Sequence, residues 1–206
     1  MEDTKEKVIT EDVIEDSMSY EEYRELINNL LDEDKTTGGK DSEDLVNYTR
    51  MNVQRMRRLD KTIELDRKLR KKLDEVERSW YWVVLTEGWC GDAAQNVPAV
   101  AKMAEANPKI ELCLLLRDEH LEIMDEYLTD GGRSIPKLIC IDAQTMEELG
   151  TWGPRPEPAQ QMVREYKQTE DRPYKELARD LHKWYAEDKT ETLQEEMLDK
   201  LDQWMN

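Results

Sequence analysis

Cys90 is the side chain of this sequence with the clearest chemical potential. It lies four residues after the apolar run Trp80–Thr86 and at the start of a segment with helical periodicity. This order predicts a strand, a short turn and a cysteine at a helix N-terminus. Unpaired backbone N–H groups and the positive end of the helix dipole favour the thiolate there. Because such sites lower a cysteine pKa from about 8.5 to roughly 3.5–7.5, we expect an accessible, nucleophilic thiol.

The neighbours of Cys90 set the environment of its thiol. Trp89 and Gly91 flank the cysteine, and Trp89 is expected to form the apolar lip of the site. Asp92 has two interpretations: it accepts a proton or a hydrogen bond from a substrate, or it satisfies free N–H groups of the first helical turn. A carboxylate at this position would also raise the pKa of the thiol, in opposition to the helix dipole.

Three segments together resemble a known family. The first is the turn Trp89–Gly91, which resembles the active-site turn of thioredoxins. The second is the loop Gly132–Lys137, which resembles the loop that carries their cis-proline, and the third is Glu148–Pro154, which is similar to the next strand and its glycine turn. The match covers residues 80 to 170 with all elements in order. It implies an α/β, thioredoxin-like three-layer fold with a mixed sheet.

The same comparison shows one departure from that family. A thioredoxin has a second cysteine three residues after the first, where this chain has Ala93. The run Trp-Cys-Gly-Asp-Ala is similar to that of a bacterial group of the family that lacks the two-cysteine motif. Cys113 and Cys140 lie about 13 Å from the site along their strands, too far for a disulfide, and are expected to be buried apolar residues.

The resemblance also implies where a substrate would bind. It implies that the Ile135–Pro136 bond is cis and that Pro136 packs beside Cys90, so that the Ile135 backbone can pair with an extended substrate. Gly153 then borders the same groove. Arg155 follows this glycine turn.

The two arginines near this groove, Arg155 and Arg133, have open roles. They either hold a carboxylate, such as that of glutathione or a peptide, or lower the pKa of Cys90, or are ordinary surface arginines paired with acidic residues.

Two functions are compatible with these residues. In the first, Cys90 performs monothiol exchange with a protein or low-molecular-weight disulfide, and an external thiol resolves the product. No bound cofactor is expected, and glutathione is a candidate co-substrate. In the second, the groove between Trp89, Pro136 and Gly153 is a non-catalytic module that binds a peptide or protein. The sequence therefore leaves open whether the protein is an enzyme.

Composition excludes several other classes of function. The chain has 206 residues and a net charge of −18, which argues against nucleic acid or an anionic membrane as the main partner. No apolar run has the length of a membrane span, and no signal segment is seen, so that three cysteines predict a reducing cytoplasm. Two histidines and no cluster with ligand spacing predict no metal site.

Periodicity and capping residues predict the organisation of the whole chain. Ser19 and Glu22 have capping-box spacing before a helix from Tyr20 to Asp32. The sequence predicts four parts: an acidic flexible tail over 1–16, an N-terminal helical extension over 17–78, the thioredoxin-like domain over 79–170 and a C-terminal helical extension over 171–206. The apolar stripes of the last part are expected to pack on the domain rather than bind a partner.

Overall fold

The structure is a computed structural model that describes residues 7–39, 41–169 and 172–206. The helices and strands are, in chain order, α1 (Glu11–Glu15), α2 (Tyr20–Asp32), α3 (Glu43–Thr62), α4 (Arg67–Asp74), β1 (Trp80–Thr86), α5 (Gly91–Glu105), β2 (Ile110–Leu116), α6 (Leu121–Glu126), β3 (Lys137–Asp142), β4 (Glu148–Trp152), α7 (Glu157–Thr169), α8 (Tyr174–Asp188) and α9 (Glu191–Trp204).

A four-stranded mixed sheet forms the centre of the molecule, with the strand order β2-β1-β3-β4. β1 runs parallel to β2 and antiparallel to β3, and β3 is antiparallel to β4. Helices cover both sides of this sheet. Six of the seven residues of β1 are buried, as expected for a strand covered on both faces. The predicted α/β fold with a mixed sheet is therefore confirmed.

Local capping explains where the N-terminal helices begin. Ser19 and Glu22 form the predicted capping box, and α2 has the predicted bounds. Ser42 caps α3 through its hydroxyl. The next helix, α4, begins at Arg67, because the carboxylate of Asp66 accepts the N–H groups of Lys68 and Leu69 and fixes the N-terminus there.

The acidic segment at the N-terminus differs from the prediction. We expected a flexible tail over residues 1–16, but residues 11–15 form a helix and Ile9 is only 4% exposed, within the hydrophobic core. Met18 pairs with Leu114, its N–H lying 2.9 Å from the carbonyl oxygen, and so covers the edge of β2. The prediction is wrong for residues 7–16, because a few apolar side chains anchor this charged segment; residues 1–6 lie outside the described residues.

The C-terminal helices pack on different parts of the protein. Trp204 of α9 makes edge-to-face contacts with Trp80 and Trp82 of β1, at centroid distances of 6.5 and 6.1 Å. α8 instead packs on α7 in a second, smaller cluster that contains Leu177 and Leu181. The expected domain boundary at residues 170 and 171 lies outside the described residues.

Candidate functional site

Cys90 lies where the end of β1, the start of α5 and the loop before β3 meet. It is the N-cap of α5, and its sulfur accepts the backbone N–H of Ala93 at 3.5 Å. The thiol donates to the carbonyl oxygen of Ile135 at 3.4 Å. The Ile135–Pro136 bond is cis in the structure. The fold thus brings together the cysteine and the proline loop that the sequence placed in one site.

The environment of Cys90 corrects our expectation of an accessible, acidic thiol. Cys90 is only 9% exposed, and its pKa is raised to about 12. Burial is the main cause, and the charge of Asp92 adds to it, whereas the Ala93 N–H and Arg155 lower the pKa. Removal of the thiol from water outweighs the contribution of the helix N-terminus, so in this conformation the thiol is protonated at neutral pH.

Cys90 borders a cavity of about 330 Å³, which we call the thiol cavity. The turn before α5 and the loop before β3 form one side of it. The helices α3 and α8, which flank the predicted domain in sequence, form the other side. The lining side chains that matter below are Tyr48, Arg55, Trp89, Arg117, Tyr174 and His182.

Asp92 belongs to a largely buried polar network. Its carboxylate contacts side chains rather than free N–H groups of the first helical turn. One of its carboxylate oxygens pairs with Arg155 at 2.7 Å, and the other accepts the hydroxyl of Tyr185 at 2.9 Å. Asn96 donates to the Tyr185 oxygen at 3.1 Å and to the backbone oxygen of Asp92 at 2.9 Å. This network fixes α8 against the start of α5.

Both arginines predicted near the groove are held by carboxylates of the protein. Arg155 is engaged by Asp92 and also donates to Gln160 at 3.0 Å. Arg133 makes two hydrogen bonds to Asp125, at 2.6 and 2.7 Å. Of the roles left open for them, internal pairing describes both, and Arg155 in addition lowers the pKa of Cys90.

Gly153 allows two backbone segments to approach each other beside the site. Its φ is +109°, and a Cβ atom there would collide with the carbonyl oxygen of Pro136. The predicted groove glycine therefore holds the turn after β4 against the proline loop. Trp89, the predicted lip, is partly buried, and the guanidinium of Arg117 lies 4.9 Å from its ring centroid.

Two further residues, Arg55 of α3 and His182 of α8, lie at the site, where the sequence did not predict them. A Cβ atom on Gly91 would lie 3.3 Å from Cε1 of His182 and 4.0 Å from Nη1 of Arg55, so both side chains lie over the residue that follows Cys90. Burial and the neighbouring charge of Arg55 lower the pKa of His182. We found no local signal for either residue, because both reach the site only through tertiary packing.

A buried carboxylate that the sequence did not predict, Glu87, lies directly after β1. It is fully buried, and burial raises its pKa. It accepts the hydroxyl of Thr37 and the N–H of Asp118, the latter at 2.9 Å. Its position directly after the apolar strand was the signal that could have identified it.

Comparison with known proteins identifies the family. Residues 38–168 match a family model described as Thioredoxin. The chain belongs to the thioredoxin family. No curated protein matches it.

Two solved structures share the fold of this thioredoxin-family protein. A protein of unknown function from Pseudomonas aeruginosa is 17% identical, with a TM-score of 0.57, and the match covers 92% of this chain and 95% of that one. An HIV epitope-scaffold is 16% identical, also with a TM-score of 0.57, over 93% and 96% of the two chains. Both matches extend beyond the residues of the family model.

The other two cysteines of this thioredoxin-family protein are remote from the thiol cavity. Cys113 pairs in register with Val83, and Cys140 with Trp82, well inside the sheet. All three cysteines are free and buried. Within the described parts of the chain, no group of three potential ligands could hold a metal ion, and no helix has the length and apolarity of a membrane span.

Proposed function

We propose that this thioredoxin-family protein performs monothiol–disulfide exchange through Cys90, with an external thiol as the resolving group. The observation that supports it best is the position of the sulfur, which borders the thiol cavity between the start of α5 and the proline loop. The run Trp89–Ala93 further favours the bacterial group of the family that has Trp-Cys-Gly-Asp-Ala at this turn.

The proposed reaction has two steps. The sulfur of Cys90 attacks one sulfur of a disulfide, forming a mixed disulfide, while the other sulfur leaves with the bonding electron pair and takes up the proton of the thiol. An external thiol then attacks the mixed disulfide and restores Cys90. The protein would cycle without net oxidation in a reducing compartment such as the cytoplasm, where small thiols are abundant.

An internal resolving step is not part of this proposal. Ala93 occupies the position of the second cysteine, and Cys113 and Cys140 lie inside the sheet. We therefore expect no insulin-reductase turnover with thioredoxin reductase as the electron donor. Turnover at the rate of a dithiol thioredoxin would contradict our account of Ala93.

A non-catalytic binding module is the second candidate. The 9% exposure of Cys90 and the pKa of about 12 favour it, because both slow attack by the thiol. In this case the thiol cavity and the proline loop would bind a peptide or small protein segment, and Cys90 would serve only as a buried side chain.

Mixed-disulfide formation with bis(2-hydroxyethyl) disulfide distinguishes the two candidates. The neutral reagent is added to the full-length protein at pH 7, 8 and 9, and the adduct is located by peptide mass spectrometry. We expect an adduct on Cys90 that an added thiol removes, at a rate that rises with pH. Cys90→Ser should give no adduct at that peptide. An absence of adduct on Cys90 across this pH range would exclude exchange and favour the binding module.

A further inference from the structure

Arg55 differs from the other arginines of the thiol cavity. Three of them are held by a neighbouring carboxylate: Arg117 by Asp118, Arg133 by Asp125 and Arg155 by Asp92. Arg55 has no such partner among the described residues, and its Nη1 donates to the amide oxygen of Asn52 at 2.7 Å. The chain has 48 acidic and 30 basic residues, so carboxylates are plentiful. A partly buried guanidinium that still lacks one points to an anion from outside the chain.

The position of Arg55 is held by the fold. Asn52, which accepts from Arg55, donates its own side-chain N–H to the carbonyl oxygen of Gly88 at 2.9 Å. This links α3 to the turn that carries Cys90. His182 lies beside Arg55, and its buried Nδ1 has no hydrogen-bond partner. Two polar groups with unused hydrogen-bonding capacity thus lie next to the residue that follows the thiol.

We infer that the substrate of Cys90 is a small disulfide that carries a carboxylate, which the guanidinium of Arg55 binds beside His182. This inference rests on the proposed exchange function. A cavity of about 330 Å³ is within the range for small-molecule sites. Tyr48 and Tyr174, which are 49% and 62% exposed, lie among its lining residues. A planar guanidinium suits a carboxylate because it offers two parallel N–H donors.

In this arrangement the carboxylate fixes the disulfide, and the bond changes stay at sulfur. Cys90 forms a bond to one substrate sulfur, and the released half keeps the bonding electrons and the proton as a free thiol. If the carboxylate lies on the half that stays attached, Arg55 also holds the mixed disulfide until an external thiol resolves it. Arg55 is therefore a binding residue and takes no part in the making and breaking of bonds at sulfur.

The net charge of the whole protein acts against the binding of an anion in the thiol cavity. A net charge of −18 repels anions and attracts cations at long range. Without a local cationic site, a cationic disulfide would reach Cys90 faster than an anionic one. A preference for the anion would therefore have to come from groups within the cavity.

Three symmetrical disulfides that share a two-methylene spacer between sulfur and the end group provide the test: 3,3′-dithiodipropionate, which is anionic; bis(2-hydroxyethyl) disulfide, which is neutral; and cystamine, which is cationic. The rate of adduct formation on Cys90 is measured for each at pH 8. We expect the anionic reagent to react at least about fivefold faster than cystamine. Arg55→Gln should slow the anionic reagent roughly tenfold, the loss of one charged hydrogen-bonding partner, and leave the neutral reagent within about twofold.

Arg57→Gln is the matched control, since Arg57 is an exposed residue of the same helix and its loss changes the net charge equally. It should leave the order of the three rates unchanged. Equal rates for the three reagents, or an equal effect of Arg55→Gln on all of them, would overturn the carboxylate inference and leave exchange intact. If none of the three modifies Cys90, the exchange function fails, and this inference fails with it.

Discussion

The thiol of Cys90 lies near two groups of opposite charge that change its pKa in opposite directions. Asp92 raises the pKa and Arg155 lowers it, while burial is the largest contribution and also raises it. Asp92 and Arg155 are paired with each other at 2.7 Å, so their effects on the sulfur partly cancel. The ion pair of Asp92 and Arg155 therefore adjusts a thiol pKa that burial mainly determines.

Alkylation of Cys90 should keep accelerating with pH beyond the range of an ordinary thiol. Only the thiolate reacts, and a pKa of about 12 means that its fraction still grows tenfold per pH unit from pH 8 to 10. Iodoacetamide labelling of Cys90, followed by mass spectrometry, measures this. A short unstructured peptide with one free cysteine, whose thiol pKa is about 8.5, is the reference and should level off above about pH 9. A Cys90 rate that levels off at or below the reference would show that the thiol ionises from a more open state.

Asp92→Asn should make Cys90 more reactive. The substitution removes the charge that raises the thiol pKa and releases Arg155, which lowers it, so both effects act in the same direction. We expect alkylation at pH 8.5 to be roughly threefold to tenfold faster, because the rate follows the thiolate fraction.

Asp125→Asn is the control, because Asp125 pairs with Arg133, another arginine that lines the thiol cavity. Its rate should stay near that of the wild type. Slower alkylation in Asp92→Asn, with an unchanged unfolding midpoint, would contradict the proposed balance.

The helix α9 packs directly on the central sheet. It contacts β4 and α4, and Trp204 packs against two tryptophans of β1. Gly150 of β4 allows this close approach: its φ is +153°, and a Cβ atom there would overlap the indole of Trp204, with Cδ1 at 2.9 Å. One residue without a side chain thus makes room for the last helix.

Gly150→Ala should destabilise the fold by about 2–4 kcal/mol. The added methyl group must displace a rigid, buried indole, and the backbone conformation adds a further cost. Urea denaturation followed by circular dichroism measures the change. Gly131→Ala isolates the backbone contribution, because Gly131 also has a positive φ, +74°, but has open space around it; it should cost about 1 kcal/mol. Equal losses for the two variants would show that α9 does not pack tightly on β4.

The sequence predicted elements better than it predicted partners. The strand over Trp80–Thr86 and the capped helix over Tyr20–Asp32 have the predicted bounds, because apolar runs and capping residues are local signals. The partner of Asp92 was not predictable in this way, since Tyr185 lies 93 positions away. In the same way, the role of Arg155 follows only from its ion pair with Asp92, which is distant in sequence.

At the scale of the whole molecule, the thiol cavity is a product of segments from most of the chain. Arg55, Cys90, Arg155 and His182 lie on four separate elements or loops. The resemblance to thioredoxins indicated the cysteine and the proline loop, but not the helices α3 and α8 that complete the site. The sequence predicts those helices only as parts of the two helical extensions, and an apolar stripe does not specify which surface it will cover.

The strong negative charge should make stability depend on salt. Acidic residues outnumber basic ones by 18 in the folded state, and their mutual repulsion weakens when salt screens it. Raising NaCl from 20 to 300 mM should increase the free energy of unfolding by about 1 kcal/mol, hence the Tm by roughly 2–4 °C.

Differential scanning fluorimetry measures this effect, with sucrose of equal osmolality as the control for non-ionic stabilisation. A Tm that falls with NaCl would show that the ion pairs of the fold outweigh the repulsion.

The contact between Trp204 and the two tryptophans of β1 has a consequence for biosynthesis. The ribosome makes Trp80 and Trp82 more than a hundred residues before the indole that covers them. At about 5–20 residues per second, this face of the sheet stays without its cover for roughly 6–25 s. Nascent chains therefore expose an aromatic surface of the kind that chaperones bind. A chain that ends before α9 would lack the indole that covers this surface.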